Sequence, residues 1–431
     1  MSDIKRQLNR LREDEKESGS RGSSIRDQLN RLYRRSGRQQ KHFPEEEVSR
    51  AHKRLEELVP GEYVNTHFGD VFRARNSFPA TEAHGTCLLE EFFEVNPANL
   101  AHFGRFGREK EPDLRNALFL DTEASGLSGG TGTYAFMVGL GYFHRDEFVI
   151  DQLFVENYAK EEGMLDLLSG YLESASLLVT FNGKSFDLNL LETRYLMHGQ
   201  EAPFEEITHL DLLHPSRNLW DLTLENCKLQ TLEREILEFT REDDIPGEEV
   251  PGVYFEFIRT GDPTRIAGVF QHNLIDILSL VTVTIMLEGN FTGERNIQGE
   301  NGLTMFSRGK MYERQGEIER ALECYNAALE QNLTHTRRYT VLDRMALIHK
   351  RRECWTEAAD LWQRQIESTP FYTMDPYVEL AKYYEHQVHD YREAGKFVVR
   401  ALDALPSYRE EDRQALEYRL NRIRRKIQGD S

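Results

Sequence analysis

Residues 118–135 read LFLDTEASGLSGGTGTYA, and this stretch decides the fold. An apolar run ends at Asp121 and Glu123, which alternate and therefore point to the same face of a predicted strand. Two carboxylates on one face favour a metal site. Residues 130–135 also fit the Gly-x-Gly-x-x-Ala pattern of dinucleotide binding, so the stretch suggests two different chemistries.

The glycine-rich segment is better explained as a loop between two strands. The dinucleotide pattern requires a strand, then the glycines, then a helix. Residues 134–143, YAFMVGLGYF, are instead rich in aromatic and apolar side chains and predict a second strand. We therefore interpret the glycines as a loop, which leaves the two carboxylates to be explained.

Cysteine use and hydropathy indicate where the protein acts. The chain of 431 residues contains four cysteines, Cys87, Cys227, Cys324 and Cys354. They are far apart and predict no disulfide framework, and the N-terminus predicts no signal peptide, so we expect a cytoplasmic protein. The largely apolar stretch 266–287 carries Gln271, His272, Asn273 and Asp276, which predicts a core helix and no membrane span.

Charge is unevenly distributed along the chain. Residues 1–42 hold 12 Lys and Arg against 6 Asp and Glu, and a repeat, IKRQLNRL and IRDQLNRL, predicts a basic, partly helical flexible tail. A nucleic-acid or partner arm is the alternative interpretation of this tail. Residues 43–302 hold 20 basic against 46 acidic side chains, which counts against a nucleic-acid partner unless several acids hold divalent cations.

The order of predicted elements in residues 43–302 indicates an α/β domain with a mixed sheet. After a lead-in region with short strands at 60–115, the predicted elements are strands 117–121, 134–143 and 147–155, helix 160–174, strand 177–181, helix 187–198, strand 208–213 and helix 265–288. A loop rich in Pro and Gly is predicted at 245–252. This is the order of a ribonuclease H-like domain, although other α/β folds share it.

Residues 303–431 predict an all-α solenoid of the tetratricopeptide type with a final capping helix. Small residues recur at two points of each unit, Gly309, Ala346 and Ala381 at one and Ala321, Ala358 and Ala394 at the other. Their spacing of 35 to 37 residues is close to the period of about 34 of such repeats. A simple helical bundle is the alternative. Because this region holds 22 basic against 21 acidic side chains, we expect it to bind a protein partner rather than nucleic acid.

Further polar residues lie where they could join the first two acids. In FNGKSFDLNLL, Asn182 and Phe186 precede Asp187 at a strand-helix junction, and in QHNLIDILSL, His272 and Asp276 share a helix face. Taken singly, Asp187 would be a helix cap and the other two a buried polar pair. All of these residues together, in this order along the chain, are far less frequent by chance than any one of the motifs alone.

This pattern resembles the DEDD superfamily of 3′-to-5′ exonucleases. More narrowly, FLDTEASGLSGGTGTYAFMVGLG, HLDLLHPSRNLW and HNLIDILSL resemble the ribonuclease H-like family of YprB-type bacterial proteins, in which such a domain can precede tetratricopeptide repeats. The resemblance covers residues 55–290 strongly and the C-terminal repeats more loosely. It implies metal ligation by Asp121, Glu123, Asp187 and Asp276, and substrate contacts by Asn182 and Phe186. His272 matches the position of the general base.

The resemblance implies a metal-dependent exonuclease. Four acids can hold two Mg²⁺ or Mn²⁺ ions, which stabilise the attacking and leaving oxygens of an in-line displacement. His272 lies four residues before the last acid, where related histidines usually lie five before, so a hydrogen-bonded core histidine is its alternative role. The expected partner is nucleic acid with a single-stranded 3′ end. A non-catalytic repeat scaffold with a nuclease-like binding domain is the alternative function.

Overall fold

The computed structural model describes residues 54–106, 111–126, 132–204, 207–295, 301–406 and 409–429. They belong to one compact unit, which spans His52–Ser431. The predicted basic tail at residues 1–42 lies outside the described residues. The same holds for residues 127–131 of the predicted glycine loop.

A seven-stranded mixed sheet lies at the centre of the α/β region. The strands in the described part of the chain are β1 (Gly61–Thr66), β2 (Gly69–Pro79), β3 (Ala83–His84), β4 (Cys87–Leu88), β5 (Ala117–Ala124), β6 (Ala135–His144), β7 (Glu147–Phe154), β8 (Leu177–Thr180) and β9 (Thr208–Asp211). β3 and β4 pair with each other, and the other strands form a sheet in the order β1-β2-β7-β6-β5-β8-β9. β5, β8 and β9 run parallel, whereas the other pairs are antiparallel. The predicted mixed sheet is thereby confirmed.

Strand β5 lies between antiparallel β6 and parallel β8. Its residues up to Leu120 are buried, which explains the continuous apolar run in the sequence. Asp121 and Glu123 follow near its carboxyl end, where the register with β6 shifts after Glu123. Because parallel strands end at the same edge of a sheet, these acids lie at the edge where β8 and β9 also end.

One long helix packs across the sheet. The helices of this region are α1 (Leu55–Leu58), α2 (Pro97–Gly104), α3 (Glu161–Glu173), α4 (Asp187–Met197), α5 (Leu213–Trp220), α6 (Leu229–Glu235), α7 (Val250–Thr260) and α8 (Ile266–Thr292). α8 contacts β5, β6 and β7. By length and composition α8 could cross a membrane, but its most apolar window is completely buried inside the structure. This packing accounts for its composition, as predicted for a core helix.

Several local predictions were wrong. Within the lead-in region, which was predicted to contain short strands, residues 87–95 form only the two-residue β4 and then a 3-10 helix, Leu89–Glu94. The predicted strand 208–213 ends at Asp211 and is followed directly by α5, while α6 and α7 were not predicted. Pro215 and Pro251 lie in the first turns of α5 and α7, where the absence of a proline N–H costs no helical hydrogen bond.

The C-terminal region is helical throughout its described elements. They are α9 (Gly302–Gln315), α10 (Ile318–Glu330), α11 (His335–Arg351), α12 (Trp355–Ser368), α13 (Asp375–Tyr383), a π-helical turn (Tyr384–Val388), α14 (Tyr391–Ala404) and α15 (Glu410–Gly429). Each helix packs against the next along the chain. A side chain at Gly309 would lie 2.6 Å from the ring of Tyr325, so this glycine permits the close approach of α9 and α10. The helical region is established, and the tetratricopeptide-type solenoid stays a prediction.

The hydrophobic core continues from the α/β region into these helices. Phe291 at the end of α8 packs on Tyr312 of α9, with ring centroids 4.5 Å apart, and the Tyr312 hydroxyl donates to the Phe291 carbonyl at 3.2 Å. α9 also packs against α5. Removal of the C-terminal helices would therefore expose apolar surface of the α/β region.

Candidate metal centre and active site

The four predicted acids converge at one edge of the sheet. Asp121 and Glu123 come from β5, Asp187 is the first residue of α4, and Asp276 lies in the first half of α8. Asp121 is partly exposed, whereas the other three are each 8% exposed. The fold thus brings together acids that are up to 155 positions apart in the sequence.

Their proximity shifts their titration. Burial raises the pKa of Asp121 well above its usual range, and the negative charges of Asp276, Asp187 and Glu123 raise it further. Burial and the charges of Asp276, Asp187 and Asp244 likewise raise the pKa of Glu123. Burial raises the pKa of Asp187 to about 6, although hydrogen bonds from Thr122 oppose the shift. Such a cluster carries more negative charge than its surroundings neutralise, as a cation-binding site does.

Neighbouring side chains hold two of the acids in place. The backbone N–H and the hydroxyl of Thr122 donate to Asp187 Oδ1 at 3.1 and 2.5 Å. Asn273 Nδ2 donates to Asp121 Oδ2 at 2.9 Å, and Gln152 Nε2 donates to Asn273 Oδ1 at 2.9 Å. Asp121 and Asp187 are therefore oriented by hydrogen bonds from the protein itself.

Gly139 makes room for this arrangement. It is the partner of Asp121 in the β5-β6 pair, and a Cβ at this position would lie 2.1 Å from Asn273 Oδ1. A side chain there would push Asn273 away from Asp121. The small residue that this arrangement requires is therefore on β6.

His272 lies beside the acids and is oriented by Asp244. Its Nδ1 lies 2.7 Å from Asp244 Oδ1, and its Nε2 lies 3.4 Å from Asp276 Oδ2 and 4.0 Å from Glu123 Oε1. Ligand atoms of Glu123, His272 and Asp276 lie within 4.8 Å of one another, so this group could hold a metal ion. A carboxylate on Nδ1 fixes the ring and directs Nε2 toward the cluster.

Arg241 provides a fixed positive charge at the side of the cluster. It donates through Nε and Nη2 to the two carboxylate oxygens of Glu233 at 2.7 and 2.5 Å, and Nη2 also contacts Asp276 Oδ1. Its Nη1 lies 3.2 Å from Asp244 Oδ2. The neighbouring carboxylates raise the pKa of this guanidinium, although burial opposes that shift. Arg241 therefore holds Asp244 and one oxygen of Asp276, while the other oxygen of Asp276 faces His272.

The two predicted substrate residues lie in the loop that leads to Asp187. Asn182 has a left-handed backbone with φ of 64°, and its N–H donates to Asp211 Oδ1 at 2.8 Å. Asp211 also accepts from the N–H of Lys184 at 3.1 Å, so the end of β9 shapes this loop. Phe186 is 57% exposed directly before Asp187. It is therefore an exposed aromatic residue beside one of the four acids in the chain.

Sequence reasoning missed Arg241, Asp244, Glu233, Asn273 and Gln152. Asn273 directly follows His272 in the sequence and could have been predicted from that position. Of the other four, Gln152 lies on β7, Glu233 on α6, and Arg241 and Asp244 in the stretch between α6 and α7. No motif in the linear sequence links them to the acids.

The mixed sheet with four acids at one edge is consistent with a ribonuclease H-like fold. Residues 118–288 match the sequence model of the RNase_H superfamily. Over 356 residues the chain is 28% identical to the uncharacterized protein YprB of Bacillus subtilis (strain 168), a similarity that covers 81% of this chain and 84% of that protein. At the level of the superfamily, these matches agree with the predicted fold and with nuclease-type phosphodiester hydrolysis.

Proposed function

We propose that this protein is a metal-dependent 3′-to-5′ exonuclease that hydrolyses phosphodiester bonds of nucleic acid. The observation that carries the proposal is the convergence of four carboxylates beside His272 at one edge of the sheet. The superfamily match at residues 118–288 supports the nuclease class. The proposed direction of degradation, from the 3′ end toward the 5′ end, is based on the resemblance to the DEDD exonucleases.

The donor set fits two divalent ions of the Mg²⁺ or Mn²⁺ type. These hard cations prefer carboxylate oxygens, and the raised pKa values of the acids indicate negative charge that a cation would neutralise. The residues that would hold the ions are Asp121, Glu123, Asp187 and Asp276. When bound, the ions would stabilise charge on the attacking and leaving oxygens.

His272 is positioned to accept a proton. Its Nε2 faces the acids, while its Nδ1 contacts Asp244. With the Nδ1 proton donated to Asp244, the lone pair on Nε2 would take the proton of an attacking water. Arg241 keeps Asp244 in place. Phe186 would stack on the terminal base of a single strand, and the loop at Asn182 would contact its backbone.

A non-catalytic nucleic-acid or protein scaffold is the second candidate, favoured by the acidic excess of residues 43–302. A single-stranded oligonucleotide that carries a label at its 5′ end distinguishes the two. The exonuclease should produce a ladder of progressively shorter labelled products. An oligonucleotide with a blocked 3′ terminus should resist digestion. Binding without any shortening of DNA or RNA would support the scaffold instead.

Divalent ions should stabilise the folded protein. Asp187 has a folded pKa of about 6, above its usual value, so its ionisation opposes folding and the free energy of unfolding should fall as pH rises from about 4 through 6 in EDTA. Mn²⁺ at 100 times its Kd should restore about 2.7 kcal/mol. Thermal melts at pH 5 and pH 8 measure this, and Asp187→Asn should flatten the pH dependence. An unchanged melting temperature of the wild type in Mn²⁺ would contradict the metal site.

Asp244→Asn should lower kcat about 10-fold to 100-fold and leave KM nearly unchanged, because it weakens the orientation of His272 without touching the substrate path. Steady-state kinetics on a short oligonucleotide measure the effect. Asp243→Asn is the matched control, since Asp243 is exposed and adjacent in the chain. Equal kcat in both variants would remove Asp244 from the positioning role.

We further propose that the C-terminal helices form a tetratricopeptide-type solenoid that recruits a protein partner. The burial of all five alanines at the repeated positions supports this, namely Ala321, Ala346, Ala358, Ala381 and Ala394. A cytoplasmic location is supported by the four cysteines, none of which forms a disulfide.

A further inference from the structure

The near-neutral C-terminal region is divided into a basic and an acidic part. Residues 303–352 hold 10 Lys and Arg against 6 Asp and Glu, and residues 353–431 hold 12 against 15. The first part comprises α9 to α11, which begin next to the α/β region. Although the total charge of the region is close to zero, α9 to α11 carry a basic surplus. These are the C-terminal helices that follow the α/β region most closely in the sequence.

This surplus is concentrated on one face of α9 and α11. Burial lowers the pKa of the Lys310 ammonium, and the positive charges of Arg314, Arg344 and Arg337 lower it further. Three basic groups are thus close enough to Lys310 to act on its charge, and the negative charge of Asp221 opposes them. A cluster of this kind repels itself unless an anion binds between its members.

Two cavities meet at Arg314 and define what we call the basic groove. The first has a volume of about 490 Å³, lies between α2, α5 and α9, and is lined in part by Arg105, Phe106, Asn218, Met311 and Arg314. The second has a volume of about 290 Å³, lies between α9 and α11, and is lined in part by Arg314, Arg344, Arg351 and Arg352. Since Arg314 lines both, the groove runs from the α/β region onto the helical region.

Helix α5 connects the groove to the acid cluster. It begins two residues after Asp211, whose carboxylate holds the backbone of the Asn182 loop before Asp187. Asn218, on the same helix, accepts a hydrogen bond from Arg314 Nη1 at 2.7 Å. Five residues of helix separate Leu213 from Asn218, or about 8 Å along the axis, so α5 links the end of β9, which shapes the Asn182 loop, to the start of the groove.

Acidic side chains neutralise only part of the groove. Glu313 pairs with Arg344 at 2.8 Å and approaches Arg351 at 4.0 Å, and Arg352 pairs with Glu319 at 2.9 Å. Within the described residues, no carboxylate forms an ion pair with Arg105, Lys310, Arg314 or Arg337. Arg105 and Arg314 line the two cavities and give the groove its positive surplus, while Lys310 and Arg337 lie outside the lining and add to the positive charge around it.

We infer that the basic groove binds the phosphate backbone of a single-stranded nucleic acid whose 3′ end lies at the acid cluster. The inference rests on the proposed function for the location of that end. A line of cations provides phosphate contacts that the acidic α/β region lacks, and Phe106 with Met311 offers apolar surface to bases in the first cavity. An acidic peptide would share the charge but would have no reason to end at the acid cluster.

The test compares Arg105→Gln/Arg314→Gln with Arg424→Gln/Arg425→Gln, a control that removes the same charge from exposed positions on α15. Both pairs are made in the full chain with Asp121→Asn, so that the probe survives. Fluorescence anisotropy measures the binding of a labelled single-stranded 12-mer at several salt concentrations. Hydrolysis of a trinucleotide by the wild type with Mn²⁺ is measured separately and tests the catalytic proposal alone.

We expect the groove variant to bind the 12-mer at least about tenfold more weakly at 0.1 M salt, with a salt slope reduced by about 1.4, because two phosphate contacts are lost. The control should bind like its parent. Equal affinity and equal salt slope in both variants would overturn the proposal that the groove binds nucleic acid. The catalytic proposal would still stand if the wild type hydrolyses the trinucleotide. A polyglutamate peptide of equal charge that competes as strongly as unlabelled 12-mer would also overturn it. If the wild type does not hydrolyse the trinucleotide but the groove variant still binds the 12-mer more weakly than the control, only the catalytic proposal is overturned.

Discussion

Asp121→Asn is expected to lower the rate of phosphodiester hydrolysis by at least about a thousandfold, because every carboxylate of the cluster shapes the same pair of ions. The same change should raise the thermal stability of the metal-free protein. Burial and three neighbouring carboxylates raise the pKa of Asp121, so its charge opposes folding when no cation is present. Activity and stability should therefore change in opposite directions.

A rate assay and a thermal melt in EDTA together measure these two effects. Asp146→Asn is the matched control, since Asp146 is an exposed acid in the turn between β6 and β7. It should leave both quantities unchanged. A loss of activity accompanied by a loss of stability would indicate that Asp121 supports the fold, and full activity of Asp121→Asn would remove it from the site.

The second large effect concerns His272. His272→Ala should lower kcat by about 10² to 10⁴ while the Mn²⁺-induced rise in melting temperature persists, because the ring accepts a proton and the acids hold the ions. His209→Ala serves as the control. His209 is also largely buried, with a pKa lowered to about 4 mainly by burial, but its Nε2 contacts Thr180 at 2.9 Å rather than an acid.

Two outcomes would contradict a catalytic His272. Unchanged turnover with lower stability would support the core-histidine interpretation that its unusual spacing left open. Loss of the Mn²⁺ effect in His272→Ala would show that the ring is a metal ligand, which its position within 4.8 Å of Glu123 and Asp276 also permits. The contact with Asp244 at 2.7 Å directs Nε2 toward the acids and suits either role, so the Mn²⁺ effect in His272→Ala decides between them.

The sequence predicted those parts of the site that depend on local pattern. The run before Asp121 is apolar on both faces because both faces of β5 are covered: Ala117 and Phe119 pack into one apolar core, and Leu118 and Leu120 pack into another. A continuous apolar run of this kind can be recognised in a single sequence. Asp187 at a helix start and Asp276 one turn after His272 likewise follow from helical periodicity. Their convergence was inferred from the resemblance to a known family rather than from these patterns.

The rest of the site depends on contacts between distant segments. Arg241 reaches Asp276 across 35 positions, from a stretch between α6 and α7 that has no regular element of its own. No periodic pattern in the sequence predicts where such a side chain lies or in which direction it points. Gly139 is similar, because its need to be small arises only when Asn273 of α8 packs over β6. The missed helices α5 to α7 have the same cause, since tertiary packing decides short helices.

The charge of the C-terminal region shows a further limit of sequence reasoning. A sum over residues 303–431 is nearly neutral and favoured a protein partner. The fold places Lys310, Arg314 and Arg344 together and leaves the acidic surplus on later helices. A summed charge near zero does not distinguish a surface that is neutral throughout from one with separate basic and acidic parts. That distinction needs the positions of the charges in the fold.

The measurement that tests the central claim most directly is a time course with a 5′-labelled single-stranded oligonucleotide and Mn²⁺, run in parallel for the wild type and Asp121→Asn. Each sample is repeated with EDTA in place of Mn²⁺. We predict shortening from the 3′ end by the wild type in Mn²⁺, and none in EDTA or by Asp121→Asn. Equal shortening by Asp121→Asn, or shortening in EDTA, would contradict a metal-dependent nuclease site at this acid cluster.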